Sequence, residues 1–215
     1  MGIESSGIKT IAGLTPEELL KEYNSNLFDD FLPFMDKHII DHEFGGFMCH
    51  ADRQGNNLNT NKRAWFDGRG IWVYSYLYNN FKKDPAYLKI AENTIALLMK
   101  CKPSAGRFWP WSYTRTGTDL KEVEQDIYGS LFIAEGFSEY AVAVGDNSYL
   151  DKAKEILLEC VSIYDREDYA CILDDDCPPV TDIKGPRVLG HWMIILRLAT
   201  SMLRIREDKE IETIA

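Results

Sequence analysis

Asp84-Pro-Ala-Tyr-Leu-Lys-Ile-Ala91 decides the fold, because it returns 62 residues later as Asp146-Asn-Ser-Tyr-Leu-Asp-Lys-Ala153. Further identities share this spacing: Arg53 with Arg115, Gly55 with Gly117, Leu58 with Leu120, and Tyr78 with Tyr140. Together they make eight identities, where about two or three are expected by chance from ordinary residue frequencies. A repeat of this length indicates supersecondary units that stack because none can bury its faces alone.

The sequence pattern of each repeat predicts, in this order, a short strand, a turn, an inner helix, a tight turn and an outer helix. The inner helices are predicted to begin near 64, 126 and 188, and they are apolar on most sides, as a helix between neighbours should be. The outer helices, at 84–101 and 147–164, each follow an Asp cap and carry one apolar stripe. A further outer helix is predicted from Thr15 to Ile40.

Helical hairpins in series predict an all-α fold, either an (α/α)6 toroid or a solenoid. Six such units would total about 370 residues, so the 215-residue chain holds about half of a barrel. We divide it into an N-terminal extension, 1–14, and an incomplete (α/α)6 barrel domain, 15–215. We expect the chain to stop inside an outer helix, since Ala215 stands one repeat after Ala153. Half a barrel would expose the apolar flanks of the inner helices. We therefore expect the chain either to be poorly soluble or to form a homodimer through that face.

Composition and motifs exclude several classes of function. The net charge of −10 is spread along the chain, so neither nucleic acid nor an anionic membrane is an expected partner. No apolar run approaches the ~18 residues of a membrane span, and no secretory signal is visible. Five cysteines without CxxC spacing indicate reduced thiols in a cytoplasmic protein, and the histidines lack zinc-type spacing. Without GxGxxG, P-loop or GxSxG motifs, we expect no cofactor and no metal.

Aromatic and basic residues gather where the inner helices begin. At helical spacing Trp65, Arg69 and Trp72 share one face. Such a face suits a hydroxylated substrate, because rings stack on sugar faces and a guanidinium donates to sugar oxygens. The alternative is that both tryptophans belong to the core and that Arg69 pairs with a carboxylate.

Two more clusters are predicted at the same mouth. Alternation along an extended segment places Trp109, Trp111 and Tyr113 on one side, where they would form a sugar platform or a lid packed over the barrel end. His191 begins an inner helix, and a helix N-terminus lowers the pKa of an imidazole. It is therefore a candidate neutral base or hydrogen-bonding group, with a structural histidine as the alternative.

The sequence around these clusters resembles the N-acylglucosamine 2-epimerase family, which includes cellobiose 2-epimerases and related aldose–ketose isomerases. Gly45-Gly-Phe47, Asp52-Arg-Gln-Gly55 and Lys62-Arg-Ala-Trp-Phe-Asp-Gly-Arg-Gly-Ile-Trp72 carry the resemblance. The segments 127–132 and 187–194 are similar to the second and third units of that family. The likeness runs from about residue 15 onward, and it implies the (α/α)6 barrel that the repeat also indicates.

The resemblance implies epimerisation of a mono- or disaccharide at C2. A base removes the proton next to the open-chain carbonyl and an acid returns it on the other face, chemistry that favours histidine near neutral pH. Arg69 matches the family's pocket arginine and would stabilise the enolate oxygen. Trp65, Trp72, Tyr113 and Tyr128 are the implied sugar contacts.

The chain also departs from the family pattern. Asp67 stands where the family commonly has Gln, and Trp192 stands where many members carry a smaller residue. The family's paired acid/base histidines lie mainly in the second half of its barrel. We therefore expect His191 to line the pocket.

Two other functions stay open at this point. A half-toroid of this kind would also serve as a non-catalytic carbohydrate-binding module. Another (α/α)6 enzyme, such as a glycoside hydrolase, would need two carboxylates flanking the sugar. Glu124 and Asp126 are the candidates, although residues two apart face different sides of a helix.

Overall fold

The computed structural model describes residues 10–102, 108–118, 120, 126–169 and 189–215. Its helices are α1 Pro16–Ser25, α2 Leu32–His38, α3 Ala64–Asn80, α4 Pro85–Lys100, α5 Tyr128–Val144, α6 Asn147–Tyr164, α7 Leu189–Ile205 and α8 Lys209–Glu212. Its strands are β1 His50–Ala51, β2 Asn57–Asn59, β3 Lys62–Arg63 and β4 Ser112–Tyr113.

Three helical hairpins form the body of the molecule: α3 with α4, α5 with α6, and α7 with α8. The inner helix α5 packs against both other inner helices, α3 and α7. Its residues are buried on nearly every side from Gly129 to Ala141, which explains why its sequence lacks a polar face. The predicted unit of inner and outer helix is confirmed.

Glycines allow the inner helices α3 and α5 to approach closely. A Cβ on Gly68 would lie 2.5 Å from the backbone nitrogen of Ile133, and one on Gly136 would lie 2.7 Å from the Gly68 carbonyl oxygen. Any larger residue at either position would push the two backbones apart.

The repeated Asp-x-x-Tyr-Leu-x-x-Ala motif starts the outer helices α4 and α6. Asp84 accepts a hydrogen bond from the backbone of Ala86 at 3.0 Å, and Asp146 accepts one from Ser148 at 2.9 Å. Each aspartate thereby satisfies a backbone N–H that a helix start leaves without an intrahelical partner. Asp208 caps α8 in the same way, which confirms the third copy of the cap.

The first predicted helix, Thr15 to Ile40, differs from the structure. It is divided into α1 and α2 by a π-helical turn, Asn26–Phe31, in which Leu32 N donates to the carbonyl of Leu27. The proline at position 33 lacks an N–H and therefore cannot continue the α-helical ladder through this region.

A buried ion cluster, here called the strand clasp, consists of Asp41, Lys62 and Arg115. Lys62 on β3 donates to Asp41 Oδ2 at 2.8 Å and to the carbonyl oxygens of Gly45 and Arg115 at 2.5 and 2.9 Å. Arg115 donates to both oxygens of Asp41 at 2.7 and 2.9 Å. Burial raises the pKa of Asp41, but the bonds from Arg115 and Lys62 outweigh it and hold that pKa well below its usual range. The clasp lies beside the antiparallel pair β3–β4 and joins the first two units.

Candidate active site at the mouth of the inner helices

A row of rings crosses the first turns of all three inner helices. Trp65 on α3 lies 5.8 Å from Tyr128 and 6.2 Å from Phe132 on α5, between ring centroids. Tyr128 in turn stacks on His191 of α7 at 5.2 Å. We call Trp65, Arg69, Tyr128, Phe132 and His191 the mouth cluster. The repeat brings these residues together, because the first turn of each inner helix occupies the same place in its unit.

Arg69 lies over this row of rings. Its guanidinium carbon is 5.7 Å from the Trp65 ring and 5.3 Å from the Phe132 ring, within the range of a cation–π interaction. The residue is exposed. Among the residues that the structure describes, no carboxylate forms an ion pair with Arg69, so the alternative of a structural ion pair finds no support there.

Trp72 lies one turn further along α3 and is partly buried. It stacks on Tyr76 at 4.8 Å, and the guanidinium of Arg197 lies 5.5 Å from its ring. The predicted Trp65, Arg69 and Trp72 therefore share one face of α3. This face carries an arginine of its own and also contacts an arginine of α7.

His191 is fully buried. Its Nδ1 shares a hydrogen bond with the hydroxyl of Tyr169, and its ring is held against Tyr128. Burial lowers the pKa of His191 to about 4, because an imidazolium would lose its hydration. The pKa is lowered in the predicted direction, and burial of the ring is a cause of the shift. The imidazole is neutral at neutral pH.

Glu135 and Arg197 form an ion pair that the sequence analysis does not predict. The buried carboxylate of Glu135 on α5 accepts from Nε and Nη2 of Arg197 on α7, the latter at 2.6 Å. Burial raises the pKa of Glu135, and the positive charges of Arg197 and Arg69 oppose this shift. Two signals could have revealed the pair. Glu135 is the one charged residue in the first eleven of α5, and Arg197 follows it by one repeat.

The second predicted cluster does not lie at the open mouth. Trp109, Trp111 and Tyr113 are only 7%, 7% and 1% exposed. Trp109 Nε1 donates to the carbonyl of Leu98 at 3.0 Å, within the core. Burial to this extent leaves no ring face accessible to a sugar in this conformation. These three residues are therefore not part of the proposed site. Their arrangement matches the packed lid that the sequence left as the alternative.

Asp67 is also buried, and it holds the segment of Tyr113 in place. The Tyr113 hydroxyl donates to Asp67 Oδ2 at 2.5 Å, and Phe47 N donates to Oδ1 at 2.8 Å. Burial raises the pKa of Asp67 to about 7, although both hydrogen bonds act in the opposite direction. The departure from the family's Gln at this position therefore alters an internal contact rather than the mouth cluster.

The remaining candidates have other surroundings. Asp126 Oδ1 accepts from Tyr128 N at 3.0 Å at the start of α5, while Glu124 lies outside the described residues. Trp192 is partly exposed and stacks on Tyr164 at 6.2 Å. In the described part of the chain, no group of His, Cys, Asp or Glu is arranged to hold a metal, and no helix has the length and apolarity of a membrane span.

Comparison with known proteins identifies the family. The family model for N-acylglucosamine 2-epimerase (GlcNAc 2-epimerase) matches residues 45–186, which include most of the mouth cluster. The chain belongs to this family.

Relatives named as epimerases match about two thirds of the chain. The chain is 29% identical over 144 residues to N-acylglucosamine 2-epimerase of Bos taurus, and 27% identical over 145 residues to cellobiose 2-epimerase of Dictyoglomus turgidum. These matches cover 65% and 64% of this chain, but only 34% and 35% of the relatives. The chain therefore matches about a third of the length of these relatives.

Solved structures show the fold. The cellobiose 2-epimerase of Spirochaeta thermophila superposes with a TM-score of 0.74 at 21% identity, over 92% of this chain and 51% of its own. A D-mannose isomerase superposes with a TM-score of 0.68 at 16% identity, over 90% and 49%. The cellobiose 2-epimerases are (α/α)6 barrels, so the predicted fold is confirmed, and the chain corresponds to about half of such a barrel.

Proposed function

We propose that this protein acts as a sugar 2-epimerase or a related aldose–ketose isomerase on the open-chain form of a mono- or disaccharide. The observation that carries the proposal is Arg69, whose exposed guanidinium lies over two rings at the mouth and pairs with no described carboxylate. Family membership supports it, since the relatives are named as epimerases of N-acylglucosamine and cellobiose.

Arg69 would act on the charge that develops during the reaction. A general base, which the family resemblance assigns to a histidine of the second half of the barrel, would take the C2 proton and leave an enolate. The negative oxygen of this enolate is the former carbonyl oxygen. A guanidinium that is already fixed over Trp65 and Phe132 can donate hydrogen bonds to this oxygen without reorganising, which stabilises the transition state. Return of the proton to C2 on the other face gives the epimer. Return to C1, together with transfer of the O2 proton to O1, gives the ketose.

Trp72 and the rings of the mouth cluster would hold the open-chain sugar beside Arg69. Aromatic faces favour contact with the C–H faces of a carbohydrate, and Trp65, Trp72 and Tyr128 are all partly accessible. His191 is neutral and firmly held, but a group with a pKa of about 4 is a weak base at neutral pH. Because His191 is fully buried and stacks on Tyr128, we assign it the task of positioning Tyr128 rather than contacting the substrate.

We also propose a reducing, cytoplasmic setting and self-association. The described cysteines, Cys49, Cys101 and Cys160, are free thiols, as expected in a reducing compartment. On α7, Leu189 and Met193 are 75% and 62% exposed, and an apolar surface of this kind favours contact between two copies. Sedimentation of the 215-residue chain as a stable monomer would contradict the homodimer.

Deuterium uptake at sugar C2 in heavy water tests the reaction. With N-acetylglucosamine, cellobiose and D-mannose as probes, we expect uptake from at least one sugar. Arg69→Ala should reduce the rate by about 100-fold or more, the usual effect of removing an oxyanion donor. Arg53→Ala, in an exposed turn, is the matched control and should change nothing.

The same experiment separates the proposal from the carbohydrate-binding module. Sugar binding without any uptake would favour the binding module and contradict the epimerase. Uptake that survives Arg69→Ala undiminished would remove Arg69 from the mechanism.

A further inference from the structure

Arg197 belongs to α7, yet its guanidinium lies 5.5 Å from the ring of Trp72 on α3. The helix α5 packs against both of these helices, and the outer helices α4 and α6 cover the other side. A side chain that links α7 to α3 therefore runs along the concave face of the inner helices, the face that also presents Arg69. The side chain of Arg197 remains 49% exposed there.

The hydrogen bonds of Arg197 leave part of its guanidinium available. Nε and Nη2 donate to the two oxygens of Glu135. A guanidinium has five N–H donors, so Nη1 and the second hydrogen of Nη2 are not used by this pair. Glu135 is buried, so its carboxylate fixes the guanidinium from behind while Trp72 supports it from the side.

We propose that Arg197 is a second sugar-contacting arginine, which donates hydrogen bonds to substrate hydroxyls away from the carbonyl that Arg69 binds. This inference rests on the proposed function and assigns a specificity-determining residue to the same site. Arg69 would donate hydrogen bonds to the carbonyl oxygen, which becomes negatively charged in the enolate. Arg197 would donate hydrogen bonds to hydroxyls that stay neutral.

Charge explains why the substrate at this position should be neutral. Glu135 cancels the charge of Arg197, so the pair offers hydrogen-bond donors without a net positive field. A phosphate or carboxylate group would gain little there and would lose its hydration. An uncharged sugar hydroxyl fits such a pair better.

Affinities measured on the full 215-residue chain test the assignment. The probes are D-mannose, its 4-deoxy and 6-deoxy analogues, and mannose 6-phosphate. Arg197→Met should weaken D-mannose binding by about tenfold, the usual effect of one lost hydrogen bond from a charged donor. For the analogue that lacks the contacted hydroxyl, the same substitution should have little effect. Equal losses for D-mannose and both deoxy analogues, or no loss at all, would overturn the proposal.

A double variant guards against a purely structural effect. Arg197→Met alone leaves Glu135 buried without its partner, which destabilises the fold. Arg197→Met combined with Glu135→Leu removes both charges and should restore stability, but it should not restore D-mannose affinity. Recovery of affinity in the double variant would show that the pair only supports the fold, and would overturn the proposal. Arg206→Met, which breaks an exposed pair with Asp151 at 2.7 Å, is the control and should leave binding unchanged.

Glu135→Gln tests the charge argument. It keeps the shape of the side chain but leaves the charge of Arg197 uncompensated. We expect the affinity ratio of mannose 6-phosphate to D-mannose to rise by about fivefold or more. An unchanged ratio would contradict the role given to Glu135.

Failure of the proposed function can be distinguished from failure of the inference about Arg197. If the native chain binds none of the probes and exchanges no C2 proton, both the proposed function and this inference fall. If the native chain exchanges the proton in an Arg69-dependent way, while Arg197→Met leaves all affinities unchanged, only this inference falls.

Discussion

An arginine lies over a tryptophan both at the mouth and beside β4, but only at the mouth is the tryptophan partly accessible to solvent. At the mouth, Arg69 lies 5.7 Å from the Trp65 ring, and the arginine is exposed. Beside β4, Arg63 lies 5.3 Å from the Trp111 ring, and that tryptophan is buried. The residue types and the geometry are nearly the same, so aromatic and basic composition alone does not identify a binding surface.

The regions differ in how their polar groups are satisfied. Near β4, the Trp109 indole donates to a backbone carbonyl and the Tyr113 hydroxyl donates to Asp67. At the mouth, no described residue accepts a hydrogen bond from Trp65 Nε1, and Arg69 has no described carboxylate partner. The polar groups near β4 are paired, as in a finished core, whereas the exposed guanidinium of Arg69 is available to a ligand.

The largest expected effect comes from breaking the strand clasp. Lys62→Met removes a buried cation and leaves the buried carboxylate of Asp41 with one cationic partner. We expect the free energy of unfolding to fall by about 3 kcal/mol, which urea unfolding would measure. Arg69 keeps its surroundings, so the sugar affinity of the folded fraction should not change.

Lys89→Met is the matched control for the clasp. It breaks an exposed lysine pair with Glu92 at 2.8 Å, which should cost less than about 1 kcal/mol. Equal losses for the two lysine variants would show that burial does not decide the strength of the clasp.

Much of the fold could be predicted because the deciding contacts are local or periodic. Asp84 and Asp146 cap their helices through residues two positions away, and Ala91 and Ala153 are buried at equivalent places in the repeat. The division of the first helix was not predicted, because its apolar spacing continues through the π-helical turn.

The candidate site could be predicted only in part. Alternation placed Trp109, Trp111 and Tyr113 on one side of their segment, but the environment of this group depends on partners elsewhere in the chain. Tyr113 bonds Asp67, 46 residues away, across two units. The Glu135–Arg197 pair likewise depends on the register between α5 and α7, which only the spacing of one repeat between the two residues suggests. Sequence predicted which residues line one helix face, and tertiary packing decided which faces stay open.

The dependence of stability on pH should have opposite signs in the two regions. Asp67 has its pKa raised from 3.8 to about 7, so the folded state holds a proton that the unfolded state releases, and stability falls as pH rises from about 4 to 7. His191 has its pKa lowered from 6.5 to about 4, so the unfolded state takes up the proton first, and stability falls as pH drops from 6.5 to about 4.

Substitution separates these two slopes. Asp67→Asn should leave a chain whose free energy of unfolding rises between about pH 4 and 6.5. His191→Gln should leave one whose stability falls between about pH 4 and 7. The native chain, with both groups, should show a weaker dependence than either variant. Urea unfolding at five or six pH values measures all three, and parallel curves would contradict the assignment of either group.

The smallest expected effect is the sharpest test of the opening comparison, because it uses the two tryptophans themselves. Trp65→Phe removes ring area and the indole N–H at the mouth, and should weaken sugar affinity by about fivefold, or ~1 kcal/mol. Trp111→Phe makes the same chemical change under the other arginine. It should leave the affinity unchanged and lower the free energy of unfolding by about 1 kcal/mol, because a smaller ring fills the buried site less well.

Titration with D-mannose or cellobiose and urea unfolding of both variants provide the two readouts. If Trp111→Phe weakened sugar binding as much as Trp65→Phe, the buried segment beside β4 would have to open toward the ligand, and the distinction between the two regions would fail. If only Trp65→Phe did so, access to the ring would decide binding, since residue type and contact distance are matched.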